Sequence, residues 1–325
     1  MSKGKMTLVA SIVLCGVFCW GIFLKNKNAD RSENKAIEVI SVCKVIEHEA
    51  LDSVVRGIQD YLSGNNNVKF EVDTCQSNQA LASQIMSKFA NSKRNIVITV
   101  GTMPTQIAAK YAEEKRIKLI FSSVTNPSTV PSLENTTGVS NFVALKPQIE
   151  LFKKIQPNLR KLGIIYNTGE ANSVDIVEQL RPITQTMGIE LVEQGIQKAS
   201  DIPQAVNALI QNVDAIFISN DNTALCAIPY IVDLCSKVKI PVYVSDTDQV
   251  EKGCLAALGP NQYEIGKQTG TIAERILKGQ DINSIPIEYP SSTELLINLD
   301  TAKKLEITIP EEVLRLAKKV IETGK

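Results

Sequence analysis

From Ile37 onward the chain alternates short β-branched apolar runs with longer amphipathic stretches, and this alternation restricts the fold more than any other feature. A strand, a helix and a second strand in succession lay the two strands parallel, because the connection crosses one face of the sheet. Candidate strands are Ile37–Val42, Val68–Asp73, Ile96–Val100, Lys118–Ser122, Leu162–Tyr166, Glu190–Gln194, Ala215–Ser219, Val242–Ser245 and Leu255–Leu258. Helical periodicity fills the intervals at Ala50–Tyr61, Ala80–Ala90, Thr105–Glu114, Pro147–Ile155, Asn172–Met187, Pro203–Gln211, Thr223–Lys237 and Tyr263–Leu277. The expected class is α/β with parallel sheets.

The pattern also repeats. Asn95–Pro127 and Asp214–Asp248 share the order strand, polar loop, helix, basic turn, strand, polar loop, and Ile37–Leu62 matches Leu162–Met187 in the same way. At roughly 100–200 residues per domain, 325 residues suffice for two similar lobes.

In open parallel sheets, ligands sit beyond the carboxyl ends of the strands. Those ends here carry Glu47-His48, Gly101–Thr105 and Ser122–Asn126 in the first half, and Thr168–Ser173, Asn220–Thr223 and Ser245–Asp248 in the second. One Ser, Thr, Asp or Asn caps a helix, and Thr105, Ser173 and Thr223 are readable as caps alone. Three or four such residues at nearly every strand end exceed that need. Both halves offer hydroxyls and amides, while the second adds carboxylates. A ligand carrying both charges, such as an amino acid, has matching polarity, and free helix N-termini hold a carboxylate without arginine.

Other classes lose ground on composition. Lysine plus arginine equals aspartate plus glutamate at 35 each, so nothing draws the chain to nucleic acid. The seven cysteines include no C-x-x-C pair, and the single histidine, His48, excludes histidine-rich metal sites. Neither a phosphate-cradling glycine loop nor a G-x-S-x-G elbow is present, so no cofactor is expected and no catalytic role is assigned. An enzyme using His48 with Glu47 would still need a nucleophile or metal that the sequence does not place.

Lys3 and Lys5 precede an uncharged stretch from Met6 to Leu24, which reads as a signal or anchor segment within residues 1–36. Cys15 is a possible lipid-attachment site, although Leu14 is larger than the residue usual before such a cysteine. Cleaved lipoprotein and uncleaved anchor both remain open. Either places the rest outside the cytoplasm, in the periplasm or on the outer face of the membrane.

Several motifs in order, CKVIEHEALDSVVRGI, VGTMPTQIA, SSVTNP, GVSN, KLGIIYNTGEANSV, SNDNT, VSDTD, ALGPNQYEIGKQTG and INLDTAKKLEITIP, resemble the ABC-transporter substrate-binding proteins of the tryptophan/tyrosine type, which have the type I periplasmic-binding-protein fold. The resemblance runs from about Ile37 to the C-terminus. It implies two Rossmann-like lobes joined by a three-crossover hinge, with 37–143 plus 260–290 as lobe 1 and 144–259 plus 291–325 as lobe 2. It also implies a monomer serving a membrane permease and its ATPase, some relatives being similar to aromatic amino-acid binders. Chemistry and resemblance together place a ligand carboxylate on Thr102, Thr105 and Ser123, and an ammonium on Asp246 with Asp221 or Glu170. Asn172, Ser173, Asn222, Thr125 and Glu47 follow as further candidates, and Phe142, Tyr166 and Val124 as an apolar slot. Glu49, where relatives commonly have proline, and Met103-Pro104, in place of small residues, depart from the pattern. The expected function is delivery of an amino acid or similar zwitterion to an importer; the alternative is a ligand sensor that signals to a membrane partner.

Overall fold

Parallel strands bonded on both edges must also be covered on both faces, and this chain meets that requirement twice. The computed structural model describes residues 37–64, 67–92 and 96–323, so the expected signal or anchor segment at 1–36 lies outside the described residues. In chain order the first elements are β1 (Glu38–Lys44), α1 (Glu49–Leu62), β2 (Val68–Thr74), α2 (Gln79–Asn91), β3 (Ile96–Val100), α3 (Thr102–Glu113), β4 (Lys118–Val124) and β5 (Thr136–Ser140). There follow α4 (Leu145–Ile155), β6 (Lys161–Asn167), α5 (Ala171–Thr186), β7 (Glu190–Ile196), α6 (Ile202–Leu209), β8 (Ala215–Ile218), α7 (Asn222–Cys226), α8 (Ile228–Lys237), β9 (Val242–Val244) and β10 (Ala256–Gly259). The chain closes with α9 (Gln262–Leu277), β11 (Glu294–Asn298), α10 (Leu299–Leu305), α11 (Glu311–Leu316) and β12 (Lys319–Ile321).

One sheet has the order β2-β1-β3-β4-β5 and the other β12-β11-β10-β9-β8-β6-β7. Read from β7, the second sheet begins with the same winding as the first, so the sequence repeat is a repeat of topology. Every register given in the first sheet is parallel, and in the second the one antiparallel pairing among the described strands is β10 with β11, so that β11 and β12 run together against the other strands. Strand β3 shows how the cores form: Ile96, Ile98 and Val100 face the apolar layer under α1 and α9, while Val97 faces the layer under α2 and α3. The second sheet is likewise covered by α4 and α5 on one side and by α6 and α8 on the other.

The chain passes between the sheets more than once. It leaves β5 for α4, and after β10 it returns to the first lobe, where α9 packs against α1 and β4. Glu288 then bonds Gly138 and Ser140 through its backbone before β11 rejoins the second sheet.

Three strands escape the apolar-run criterion. β5 reads TTGVS, and β11 and β12 are short runs bordered by charged residues. The single helix expected at Thr223–Lys237 is two, divided at Ala227. Pro229 accounts for the break: a continuous helix would need its missing N–H to reach Leu225 and would push its ring into that carbonyl.

The joint between α1 and α9 is tight because glycines face each other there. A Cβ at Gly57 would stand 2.2 Å from the Tyr263 carbonyl oxygen, and one at Gly266 would stand 2.1 Å from that of Val54. Gly57→Ala is therefore expected to lower the unfolding free energy by about 1–3 kcal/mol, since backbone rather than a movable side chain must yield. Gly64→Ala, with nothing within 4 Å, serves as the control. Equal urea midpoints for the two variants would contradict this account of the joint.

Candidate functional site

The strand order reverses between β1 and β3 in one sheet and between β6 and β8 in the other. Such switch points leave a crevice at the carboxyl ends, and the two crevices meet at one cavity. From the first lobe come His48, Ala50 and Leu51 at the start of α1, Gly101 and Thr102 at the start of α3, and Ser123 and Thr125 at the end of β4. Asn141 and Gln262 complete that wall. The second lobe contributes Asn172, Asn220, Asn222, Leu225 and Asp246. The space between them is about 30 Å³, on the order of one or two waters.

Two first-lobe helices begin at this cavity without a side-chain cap. His48 precedes α1 and Gly101 precedes α3, and neither gives a capping bond to the first-turn N–H groups. Gly101 has φ of 101°, and a Cβ there would approach Val45 Cγ1 to 2.8 Å. The Thr102 hydroxyl is buried and has no partner among the described residues. Thr105 is different: its hydroxyl is spent on Thr99 Oγ1 at 2.8 Å and the Gly101 carbonyl at 2.7 Å, away from the cavity lining.

Ser123 lines the cavity in a left-handed conformation, φ 56°, where the β4–β5 register slips. The bulge turns its hydroxyl to Gln262 Oε1 at 3.2 Å, and Gln262 Nε2 continues to Asn141 Oδ1 at 3.2 Å. A non-glycine residue held in that conformation is local strain supported by its surroundings. Thr125 accepts from Asn220 Nδ2 at 3.4 Å across the cleft, and the same amide donates to the Asn141 carbonyl at 3.1 Å. Asn126 and Asp175, and Glu49 and Lys252, form further ties between the lobes.

The second-lobe carboxylates divide into distinct tasks. Glu170 receives the backbone N–H groups of Asn222 and Thr223 and both of their side chains, at 2.6–3.1 Å, so its charge neutralises the start of α7. Asp221 caps the same helix, accepting from Ala224 N at 2.7 Å and Asn167 N at 2.5 Å. Burial first, and the neighbouring Glu170 charge second, push the Asp221 carboxyl up to about 7. Neither carboxylate lines the cavity. Asp246 does, fully buried, with Asp248 N and Gln249 Nε2 as its donors; burial raises its carboxyl above the usual range.

Of the remaining expected residues, Asn172 and Asn222 line the cavity, while Ser173 is buried beside Asp221. Glu47 is exposed and paired with Lys44 and Thr74, which hold its carboxyl below the usual range. The apolar slot is made by Ala50, Leu51 and Leu225 rather than by Phe142, Tyr166 and Val124. Phe142 stands edge-on to Tyr289 in an adjoining depression, Val124 is core, and Tyr166 packs beside the second-lobe core. Asn220 stood in an expected strand-end cluster without being singled out as a contact, while Asn141 and Gln262 were absent, Asn141 because β5 carries no apolar run to mark its end and Gln262 because the strand-end rule was not applied to β10.

Comparison with known proteins gives this geometry its context. Residues 39–321 match the family described as ABC transporter substrate binding protein. The chain belongs to that family. Its members are solute-binding proteins that work outside the cytoplasm, not enzymes. A tyrosine-binding protein of Clostridioides difficile is 30% identical over 296 residues, covering 87% of this chain and 84% of the relative. A domain from Streptococcus pneumoniae solved in complex with L-Trp is 29% identical, with a TM-score of 0.82 over 88% of this chain and all of that one. A substrate binding protein with adhesive properties from Clostridium difficile, solved ligand-free and open, is 26% identical, with a TM-score of 0.65 over 88% of this chain and all of that one.

Glu170→Gln tests the division of labour among the carboxylates. Losing charge-assisted acceptance at α7 should lower the unfolding free energy by about 1.5–3 kcal/mol. It should also lower the Asp221 pKa, because the repelling charge that helps raise it is gone. Urea melts and a carbon-13 titration of the Asp221 carboxyl check both; an unmoved Asp221 would show that the two groups do not interact.

Proposed function

We propose that this protein is the extracytoplasmic solute-binding component of an ABC importer and binds an aromatic amino acid between its lobes. The observation that carries the reading is the division of charge across the cavity. The uncapped starts of α1 and α3, with the unpartnered Thr102 hydroxyl, suit a carboxylate, Ser123 joining only if its hydroxyl turns from Gln262, and the dry Asp246 carboxylate opposite suits an ammonium. An ammonium beside Asp246 offsets the cost of burying that charge. Ala50, Leu51 and Leu225 offer apolar surface for a ring. The L-Trp complex and the tyrosine-binding relative support an aromatic side chain.

Two relatives of similar identity superpose unequally, at 0.82 for the L-Trp complex and 0.65 for the ligand-free open form. A rigid rotation of lobes has that effect, and with the ties across the cleft it supports a closed arrangement here, one too narrow for an aromatic amino acid at about 30 Å³, so the lobes must part to admit the ligand. We assign 37–143 with 260–290 to lobe 1 and 144–259 with 291–325 to lobe 2, the chain crossing near Asn141–Leu145, Leu258–Pro260 and Tyr289–Leu296. The protein acts as a monomer, held at the membrane by its N-terminal segment, and hands its ligand to a permease with its ATPase.

Calorimetry of the full-length protein in mild detergent against the twenty amino acids tests the central reading. Tryptophan or tyrosine should bind, and absence of any amino acid tighter than about 1 mM, roughly −4 kcal/mol, would overturn it. Asp246→Asn should weaken binding by about 2–5 kcal/mol, whereas equal affinity would remove Asp246 from the ammonium site. Lipid anchoring predicts a globomycin-sensitive mobility shift that disappears with Cys15→Ser; without the shift, the uncleaved anchor is preferred, and retention of residues 1–36 in the mature protein separates it from a cleaved signal peptide.

A further inference from the structure

The cavity contains one imidazole, and its hydrogen-bonding state follows from the opposite wall. Glu170 Oε2 accepts from Asn222 Nδ2 at 2.6 Å. A carboxylate only accepts, so the Asn222 NH₂ is fixed toward Glu170 and its oxygen is turned away. That oxygen lies 3.4 Å from His48 Nε2. Since an amide oxygen also only accepts, Nε2 carries the imidazole proton, and Nδ1 of the neutral ring keeps a free lone pair. Nδ1 is shielded from solvent and has no partner among the described residues. His48 shares this end of the cavity with Ala50, Leu51 and Leu225, the surface suited to a ring.

We propose that His48 is a specificity-determining residue, accepting on Nδ1 a hydrogen bond from the ligand's side chain, and that Glu170 sets its tautomer through Asn222. The proposal rests on the aromatic amino-acid reading and narrows it: the preferred ring carries an N–H or O–H donor, as an indole or a phenol does. A ring without a donor leaves a buried acceptor unmet, which costs affinity rather than merely failing to add it. His48 Nε2 meets Asn222 of the other lobe, so the imidazole that reads the ligand through Nδ1 also joins the two lobes.

Protonation gives Nδ1 a hydrogen and abolishes the acceptor. Burial, the largest influence, lowers the His48 pKa below its ordinary 6.5; Lys252 acts in the same direction, while Asn222, Asp52 and Glu170 oppose. Glu49 pairs with Lys252 at 2.9 Å, and Asp246 occupies the same cavity. The acceptor therefore persists at neutral pH and is lost as the medium turns acid.

Calorimetry of full-length wild type and His48→Leu with tyrosine, tryptophan and phenylalanine provides the test. Wild type should prefer tyrosine and tryptophan over phenylalanine by about 10- to 100-fold. His48→Leu should erase that preference, and His48→Gln, which keeps an acceptor oxygen, should retain part of it. In wild type the preference should shrink as pH falls below about 6.5, and in His48→Leu it should be flat with pH. The variant comparison matters because burial also pushes the nearby Asp221 and Asp248 carboxyls up to about 7. Binding of all three ligands without preference, or a preference surviving in His48→Leu, overturns the role of His48 alone. Binding of none by wild type overturns the aromatic reading and this proposal together.

Discussion

The N–H groups at the start of a helix must be satisfied by something, and the helices that begin near the cavity meet that demand in two ways. In the second lobe, α7 receives the carboxylates of both Asp221 and Glu170. In the first, α1 and α3 begin at the cavity with no side-chain cap. The start of α7 is internally neutralised, whereas α1, α3 and the second-lobe α5 have no side-chain cap on their first-turn donors. The polarity of the cavity comes from these uncapped starts together with the buried Asp246 carboxylate.

The same contrast bears on the closure proposed above. With α7 held by its own carboxylates, Asn222 and Asn220 at its start are fixed enough to reach across to His48, Asn141 and Thr125. These cross-cleft bonds are neutral and individually modest. Weak, numerous ties suit a binding protein, because a latch much stronger than the ligand's own contribution would close the lobes without it.

The fold was legible because parallel strands buried on both faces appear as uninterrupted apolar runs; IVITV at β3 is such a run. TTGVS at β5 is equally buried but relies on threonine and glycine, so it lacks that signal. The site was legible as a set of strand-end clusters, and Thr102, Ser123, Thr125, Asn172, Asn222 and Asp246 do meet at one cavity. Glu170, expected beside an ammonium, lies outside that cavity and neutralises a helix starting 52 residues later, and local spacing carries no record of such a pairing. His48 could be noticed in sequence, while its tautomer required the opposing Asn222.

The glycine seam between α1 and α9 bears on how the protein is made. Gly57 emerges early from the ribosome and its partner Gly266 more than two hundred residues later. The first lobe therefore lacks a face of its core through most of synthesis, while the second sheet's strands β6–β10 lie wholly within the interval. Contacts so distant in sequence form slowly. A lobe whose core depends on a contact between segments so far apart cannot finish folding until most of the chain has been made.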